Sequence, residues 1–178
     1  MVRTQFPSHG STNMTTNCRV HIRKEAYKFS CAHMTVFADG TKERLHGHNY
    51  QVEVEVELPR VDLSKMVEFR SIKDAVRSLC QQWDEHVLLP RTCPHLTVTH
   101  ETKEEVEFLL CGKRYVLPFD EVIFLPVDNI TSESLAELFC NNLISRLNFA
   151  ISEVLSLVVR VDETPGQGAS FLWARGAP

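Results

Sequence analysis

The clearest pattern in the chain is the alternation from Tyr50 to Glu57, where Val52, Val54 and Val56 alternate with Gln51, Glu53, Glu55 and Glu57. A period of two with one apolar and one carboxylate-lined face predicts a half-buried antiparallel strand. Arg19 to His33 is also extended in character and ends before the Asp-Gly turn signal at Ala38-Asp39-Gly40. Ser71 to Trp83 changes period: Ile72, Val76, Leu79, Cys80 and Trp83 recur at helical spacing, after a turn predicted over Pro59 to Met66. Between Pro90 and Pro126 the runs Leu96 to Thr99, Val106 to Leu110 and Tyr115 to Leu117 read as short strands, with a hairpin turn at Cys111-Gly112-Lys113. A second helix is predicted from about Thr131, with Thr131 and Ser132 as caps and Leu135, Leu138, Phe139 and Leu147 as its stripe. In a last strand, Leu155, Leu157, Val159 and Val161 share a face with Glu163, so an apolar stripe ends in a carboxylate.

This order predicts an α+β fold, an antiparallel sheet with two helices packed on one face and an inserted β-hairpin at about 91–125. The other face then needs cover, and subunit association is one way to supply it. At 178 residues and 43% hydrophobic, the chain has the size of one domain, expected over 18–178 behind a flexible tail over 1–17 that is rich in Ser, Thr and Asn.

Charge and cysteine content narrow the classes. A net charge of -4 with no Lys/Arg run argues against nucleic acid or an anionic membrane as partner. No apolar stretch approaches the roughly 20 residues that cross a bilayer, and the first residues resemble neither a secretory signal nor a transit peptide. Six cysteines without CxxC spacing or an export signal read as reduced thiols of a cytoplasmic protein.

The chemical signal is His46-Gly47-His48 at the head of the alternating strand, with His33 at the end of the preceding one. In an extended backbone His46 and His48 share the face of Val52, Val54 and Val56. Three imidazoles on adjacent strands can hold zinc and leave a fourth position open, as catalytic sites do. Spacing alone leaves this open against ordinary polar residues at a strand start.

Context narrows it. Phe29-Ser30-Cys31-Ala32-His33 followed by Leu45-His46-Gly47-His48-Asn49-Tyr50 resembles the 6-pyruvoyltetrahydropterin synthase and 6-carboxytetrahydropterin synthase family. Met66-Val67-Glu68-Phe69, Trp83-Asp84-Glu85-His86, Asn129-Ile130-Thr131-Ser132-Glu133 and Glu163-Thr164-Pro165 extend the resemblance over most of Arg19 to Trp173. It implies a tunnelling fold and zinc on His33, His46 and His48. It also implies a pterin ring held by Glu163 with Thr131 and Ser132, and a homo-oligomer, usually a hexamer, with active sites between subunits. A carboxylate suits the ring role because it accepts two parallel hydrogen bonds from an amino-pyrimidine edge.

The match departs in two places. Family members that make the pyruvoyl or carboxy product carry a cysteine shortly before the HGH motif, whereas Thr41-Lys42-Glu43-Arg44-Leu45 stands here. Glu43 is similar to the subgroup in which glutamate replaces that cysteine and the side chain is cleaved to 6-hydroxymethyl-7,8-dihydropterin. Second, an ungapped match puts Glu85 where the family's histidine stands, with His86 one residue later. The resemblance therefore implies a zinc lyase acting on 7,8-dihydroneopterin triphosphate, of the kind that serves tetrahydrobiopterin or folate biosynthesis. Glu43 is its expected base, Asp84 and His86 a second proton relay, and Cys31 a less favoured nucleophile or fourth ligand. The alternatives are the pyruvoyl- or carboxy-tetrahydropterin reaction, or an inactive pterin- and zinc-binding paralogue.

Overall fold

A computed structural model describes residues 17–59, 69–147 and 153–176. Most of the expected tail, most of the turn between Pro59 and Met66, and Met66-Val67-Glu68 lie outside these residues. Strands β1 (Cys18–His33) and β2 (His46–Leu58) pair antiparallel, followed by helix α1 (Phe69–Trp83). Then come β3 (His86–Pro90), β4 (Leu96–Glu101), β5 (Glu105–Leu110), β6 (Lys113–Pro118), β7 (Val122–Leu125), helix α2 (Ser132–Leu147), β8 (Ser156–Thr164) and β9 (Gln167–Ala174).

The main sheet has the order β7-β3-β1-β2-β8-β9. Its centre and the β8–β9 hairpin are antiparallel, as the alternating pattern predicts, but β3 runs parallel to both β1 and β7. The fold is thus α+β with a mixed sheet. Residues Ile72, Val76, Leu79, Cys80 and Trp83 are the buried positions of α1, the same five that the helical spacing selects. They meet Leu135, Phe139 and Cys140 of α2 and the inward valines of β2 and β8 in one core. Phe139 and Phe29 both set an edge against the Trp83 ring, at centroid distances of 5.5 and 5.3 Å. The opposite face carries ion pairs between neighbouring strands, Arg19 with Glu55 and Arg23 with Glu53, so that face is compatible with water. No helix among the described residues is long and apolar enough to cross a membrane.

Where the sequence predicts a hairpin over about 91–125 there is a three-stranded sheet, β4-β5-β6, and the last residues of that span, β7, belong to the main sheet. Cys111 and Gly112 both have positive φ, 50° and 73°, the signature of a two-residue I′ turn between β5 and β6. Val106, Phe108 and Leu110 of β5 are fully buried against Met34, Leu89 and Cys93, a second core that fastens the insertion to the ends of β1 and β3.

One irregularity in β1 decides which residues reach the site. Arg23 faces Glu53 and Lys28 faces Gln51, so five steps along β1 match two along β2. Inward positions switch there from even to odd numbers: Ile22 is buried before the bulge, and Tyr27, Phe29, Cys31 and His33 after it. The Gln51 side-chain amide spans the bulge, donating to the carbonyls of Lys24 and Tyr27 at 3.0 and 2.8 Å.

Candidate metal and ligand site

Where β1 ends and β2 begins, the register pairs His33 with His46 and Cys31 with His48, which puts three imidazoles on the inward face. Their ring centroids lie 4.7 Å apart for His33 and His46, 4.8 Å for His46 and His48, and 5.4 Å for His33 and His48. Glu163, the carboxylate at the end of the β8 stripe, completes the group, and one ligand atom from each of the four lies within 4.8 Å of the others. Glu163 Oε1 sits 2.7 Å from His48 Nε2, and Gln167 Nε2 donates to Glu163 Oε2 at 3.2 Å.

The surroundings of the rings suit metal ligation. His33 Nδ1 is 3.1 Å from the Ile130 carbonyl and His46 Nδ1 is 2.7 Å from the Arg44 carbonyl, so in each ring Nδ1 carries the proton and Nε2 keeps its lone pair. The Tyr50 hydroxyl lies 3.2 Å from His33 Nε2 and is the nearest donor to that lone pair. Burial, opposed by the Ile130 carbonyl and reinforced by the other two imidazoles, holds His33 below the usual imidazole range. A neutral ring is the form that ligates. Three imidazoles and one carboxylate are a donor set that fits zinc.

Glu43 stands on the loop after β1, its carboxylate 3.9 Å from His46 Nε2. The Thr35 hydroxyl, chiefly, together with the charge of His46, holds its carboxyl below the usual range against the opposing effect of burial. Its amide donates to the Thr35 carbonyl at 2.9 Å, so Thr35 grips both ends of the residue. At the start of α2, Ser134 N donates to Thr131 Oγ1 at 3.4 Å and Thr131 N to Ser134 Oγ at 3.1 Å, a reciprocal cap. Ser132 is buried beside it. Asn129 ties this helix start to the loop after His33: its side chain accepts from Val36 N at 3.0 Å and donates to Val36 O at 2.8 Å.

Two cavities adjoin the cluster and share Glu163. The larger, about 620 Å³, is lined by Cys31, His48, Asn49, Glu85, His86, Glu121 and Glu163 among others. The smaller, about 250 Å³, is lined by His33, Thr35, Glu43, Tyr50, Thr131, Ser132, Glu133, Glu163 and Gln167. Glu43, Thr131 and Ser132 therefore meet His33 and Glu163 in one cavity, whereas His86 meets His48 and Glu163 in the other. Asp84 and His86 are joined through main chain: His86 Nδ1 lies 2.5 Å from the Asp84 carbonyl, while the Asp84 carboxylate accepts from Ser30 N at 2.7 Å. Glu85 between them has a positive φ of 59°, and both Glu85 and His86 face the larger cavity. The Cys31 thiol is pushed up to about 12 by burial and by the charges of Asp84 and Glu163, which keeps it protonated and a poor nucleophile. Tyr50, Thr35 and Gln167 are site residues that the sequence did not single out; for Tyr50 the signal was present, since it shares parity with His46 and His48.

The chain matches the family model "6-pyruvoyl tetrahydropterin synthase" over residues 21–172. It is 34% identical over 147 residues, 81% of this chain and 88% of the relative, to a provisionally named 6-carboxy-5,6,7,8-tetrahydropterin synthase of Methanocaldococcus jannaschii. Among solved structures, 6-pyruvoyl tetrahydropterin synthase of Plasmodium vivax superposes with a TM-score of 0.81 at 26% identity, covering 89% of this chain and 99% of that one. Two further structures of the P. vivax enzyme, with the same TM-score, are of variants in which a glutamate described as a catalytic residue is replaced by alanine or by cysteine.

Proposed function

Since the chain belongs to the 6-pyruvoyl tetrahydropterin synthase family, we propose that it is a zinc-dependent lyase acting on the side chain of 7,8-dihydroneopterin triphosphate, with 6-hydroxymethyl-7,8-dihydropterin as product. The observation that carries this reading is the convergence of His33, His46, His48 and Glu163 at cavities of which the larger, about 620 Å³, is in the range that encloses a small ligand. Zinc on the three histidines would supply Lewis acidity towards the side-chain hydroxyls of the substrate.

The chain's own groups divide the remaining work. Glu163 accepts hydrogen bonds from the amino-pyrimidine edge, and the hydroxyls of Thr131 and Ser132 at the α2 start hold the ring from the same cavity. Glu43, ionised at neutral pH, takes the hydroxyl proton. His86, its Nδ1–H held by the Asp84 main-chain carbonyl, takes up a proton from solvent at Nε2 and returns it from the other cavity. The choice of product rests on Glu43 standing where a thiol is absent, and the catalytic glutamate of the P. vivax enzyme supports a glutamate as the base. Strands β7 and β9 are the outer strands of the main sheet among the described residues, which suits assembly into a homo-oligomer, a hexamer in this proposal.

The test is product identity. Zinc-loaded protein incubated with 7,8-dihydroneopterin triphosphate is expected to release the hydroxymethyl pterin, identified by mass. A pyruvoyl or carboxy pterin would reassign the reaction, and zinc-loaded protein that leaves the substrate unchanged would make the chain a pterin binder.

A separate expectation concerns Glu163. Glu163→Gln should weaken pterin binding by roughly tenfold or more, the loss expected when a charge-assisted pair worth on the order of 1.5 to 3 kcal/mol is removed. Zinc content should stay at its wild-type level. Calorimetric titration with a pterin, alongside metal analysis, separates this from the opposite outcome, intact affinity with lost zinc, which would make Glu163 a metal ligand instead.

A further inference from the structure

Three contacts join the β4-β5-β6 sheet to the loop between the two histidine-bearing strands. Gly40 backs onto His95, whose Cε1 lies 3.3 Å from where a Cβ at that position would stand. The Thr41 carbonyl accepts a weak bond from Cys111 Sγ at 3.9 Å. Next along, the Lys42 ammonium stands 5.1 Å from the centre of the Tyr115 ring. That ammonium also donates to Met34 Sδ at 3.2 Å and to the Glu43 carbonyl at 2.9 Å. One part-buried cation thus links a ring of β6, the residue after His33, and the main chain of Glu43.

We propose that Lys42, held by Tyr115, is a positioning residue that fixes the Glu43 main chain and so aims its carboxylate at the histidine cluster. This rests on Glu43 being the proton acceptor. Lys42 makes its bond to the carbonyl of Glu43, while the carboxylate is held by Thr35 and faces His46, so the lysine acts through geometry and not by neutralising the base. A long, flexible lysine on a loop ordinarily points into water. Here a ring face, a thioether and a carbonyl hold it in one place. The inserted sheet then has a task in turnover: it supplies the ring and the surface against which the loop rests.

The experiment compares zinc-loaded Lys42→Met, Lys42→Arg, Tyr115→Leu, Glu43→Ala and the Lys42→Met/Glu43→Ala double variant, with 7,8-dihydroneopterin triphosphate as substrate. Lys42→Met should lower kcat by about tenfold with KM and zinc content unchanged, since a small displacement of a reacting group is enough for such a loss. Lys42→Arg, which keeps a cation over the ring, should recover most of it, and Tyr115→Leu should fall in the same direction as Lys42→Met. The double variant should be no slower than Glu43→Ala alone, because a positioned group that is gone cannot be mispositioned. If Lys42→Met does not fold, Tyr115→Leu alone and combined with Glu43→Ala carries the same comparison. A slow Glu43→Ala beside Lys42 and Tyr115 variants within about twofold of wild type overturns the proposal and leaves the base assignment standing. So does a further loss in the double variant. Wild-type turnover in Glu43→Ala removes the base assignment and this proposal with it.

Discussion

Replacing His46 and His48 together with alanine is expected to empty the protein of zinc and to abolish turnover. Metal analysis of the wild-type protein should give about one zinc per chain, the stoichiometry of a three-histidine catalytic site. The double variant keeps only His33 of the three imidazoles, and even with the Glu163 carboxylate recruited it falls short of the three protein ligands that a tetrahedral site with an open position needs. The loss should come without unfolding. Both rings are partly exposed, with side chains 35% and 23% accessible, and the hydrogen bonds that pair β2 with β1 here belong to the backbone. A far-ultraviolet spectrum like that of the wild type, beside a metal content near zero, is the expected pair of results. Full zinc occupancy in the double variant would refute the assignment.

Glu43→Ala should keep zinc and pterin binding yet lose at least roughly a hundredfold in turnover, the lower range for a positioned general base. Its carboxylate lies 3.9 Å from His46 Nε2, inside the cavity that also holds Thr131, Ser132 and Glu163. With its carboxyl held low by the Thr35 hydroxyl, it is fully ionised near neutral pH, but for the same reason it is a weak base. It can accept a proton from a hydroxyl acidified by a neighbouring cation more readily than one from carbon. That preference is why the hydroxymethyl product is expected. Glu43→Cys puts a stronger base at the same position and should move the product towards the pyruvoyl or carboxy pterin, read by mass. Turnover of Glu43→Ala near the wild-type rate would end the role given to Glu43.

Local patterns were legible wherever one face of an element is wet. The valines of β2, the five buried positions of α1 and the stripe leading to Glu163 were readable because polar neighbours mark the period. Strands β3 and β7 gave no such signal. His86–Pro90 and Val122–Leu125 are short and apolar at nearly every position, and their parallel pairing joins segments separated by the whole insertion. Periodicity cannot distinguish so brief a run from a buried piece of any other element. In the site, the histidines were legible from spacing and resemblance. The contact of Glu163 with His48 and the hold of Thr35 on Glu43 were not, because each depends on side-chain reach across strands or a loop that sequence order leaves undetermined, and the link from His86 to the Asp84 carbonyl was not, because it depends on the positive φ of Glu85 between them.

The bulge between Arg23 and Lys28 makes the site sensitive to residue count more than to residue identity. Ile22 and His33 are an odd number of positions apart, so in an uninterrupted strand they would lie on opposite faces, and only the extra residues bring both inward. The exposed stretch Lys24 to Ala26 can therefore vary in composition at little cost. Losing or gaining a single residue there cannot be absorbed as loops usually absorb it. Either the core half of β1 or its histidine half must turn to solvent, and the chain would keep its fold or its histidine cluster but not both. Length in this segment behaves as a reading frame for the sheet: changes by one shift the phase of everything downstream until β1 ends at His33.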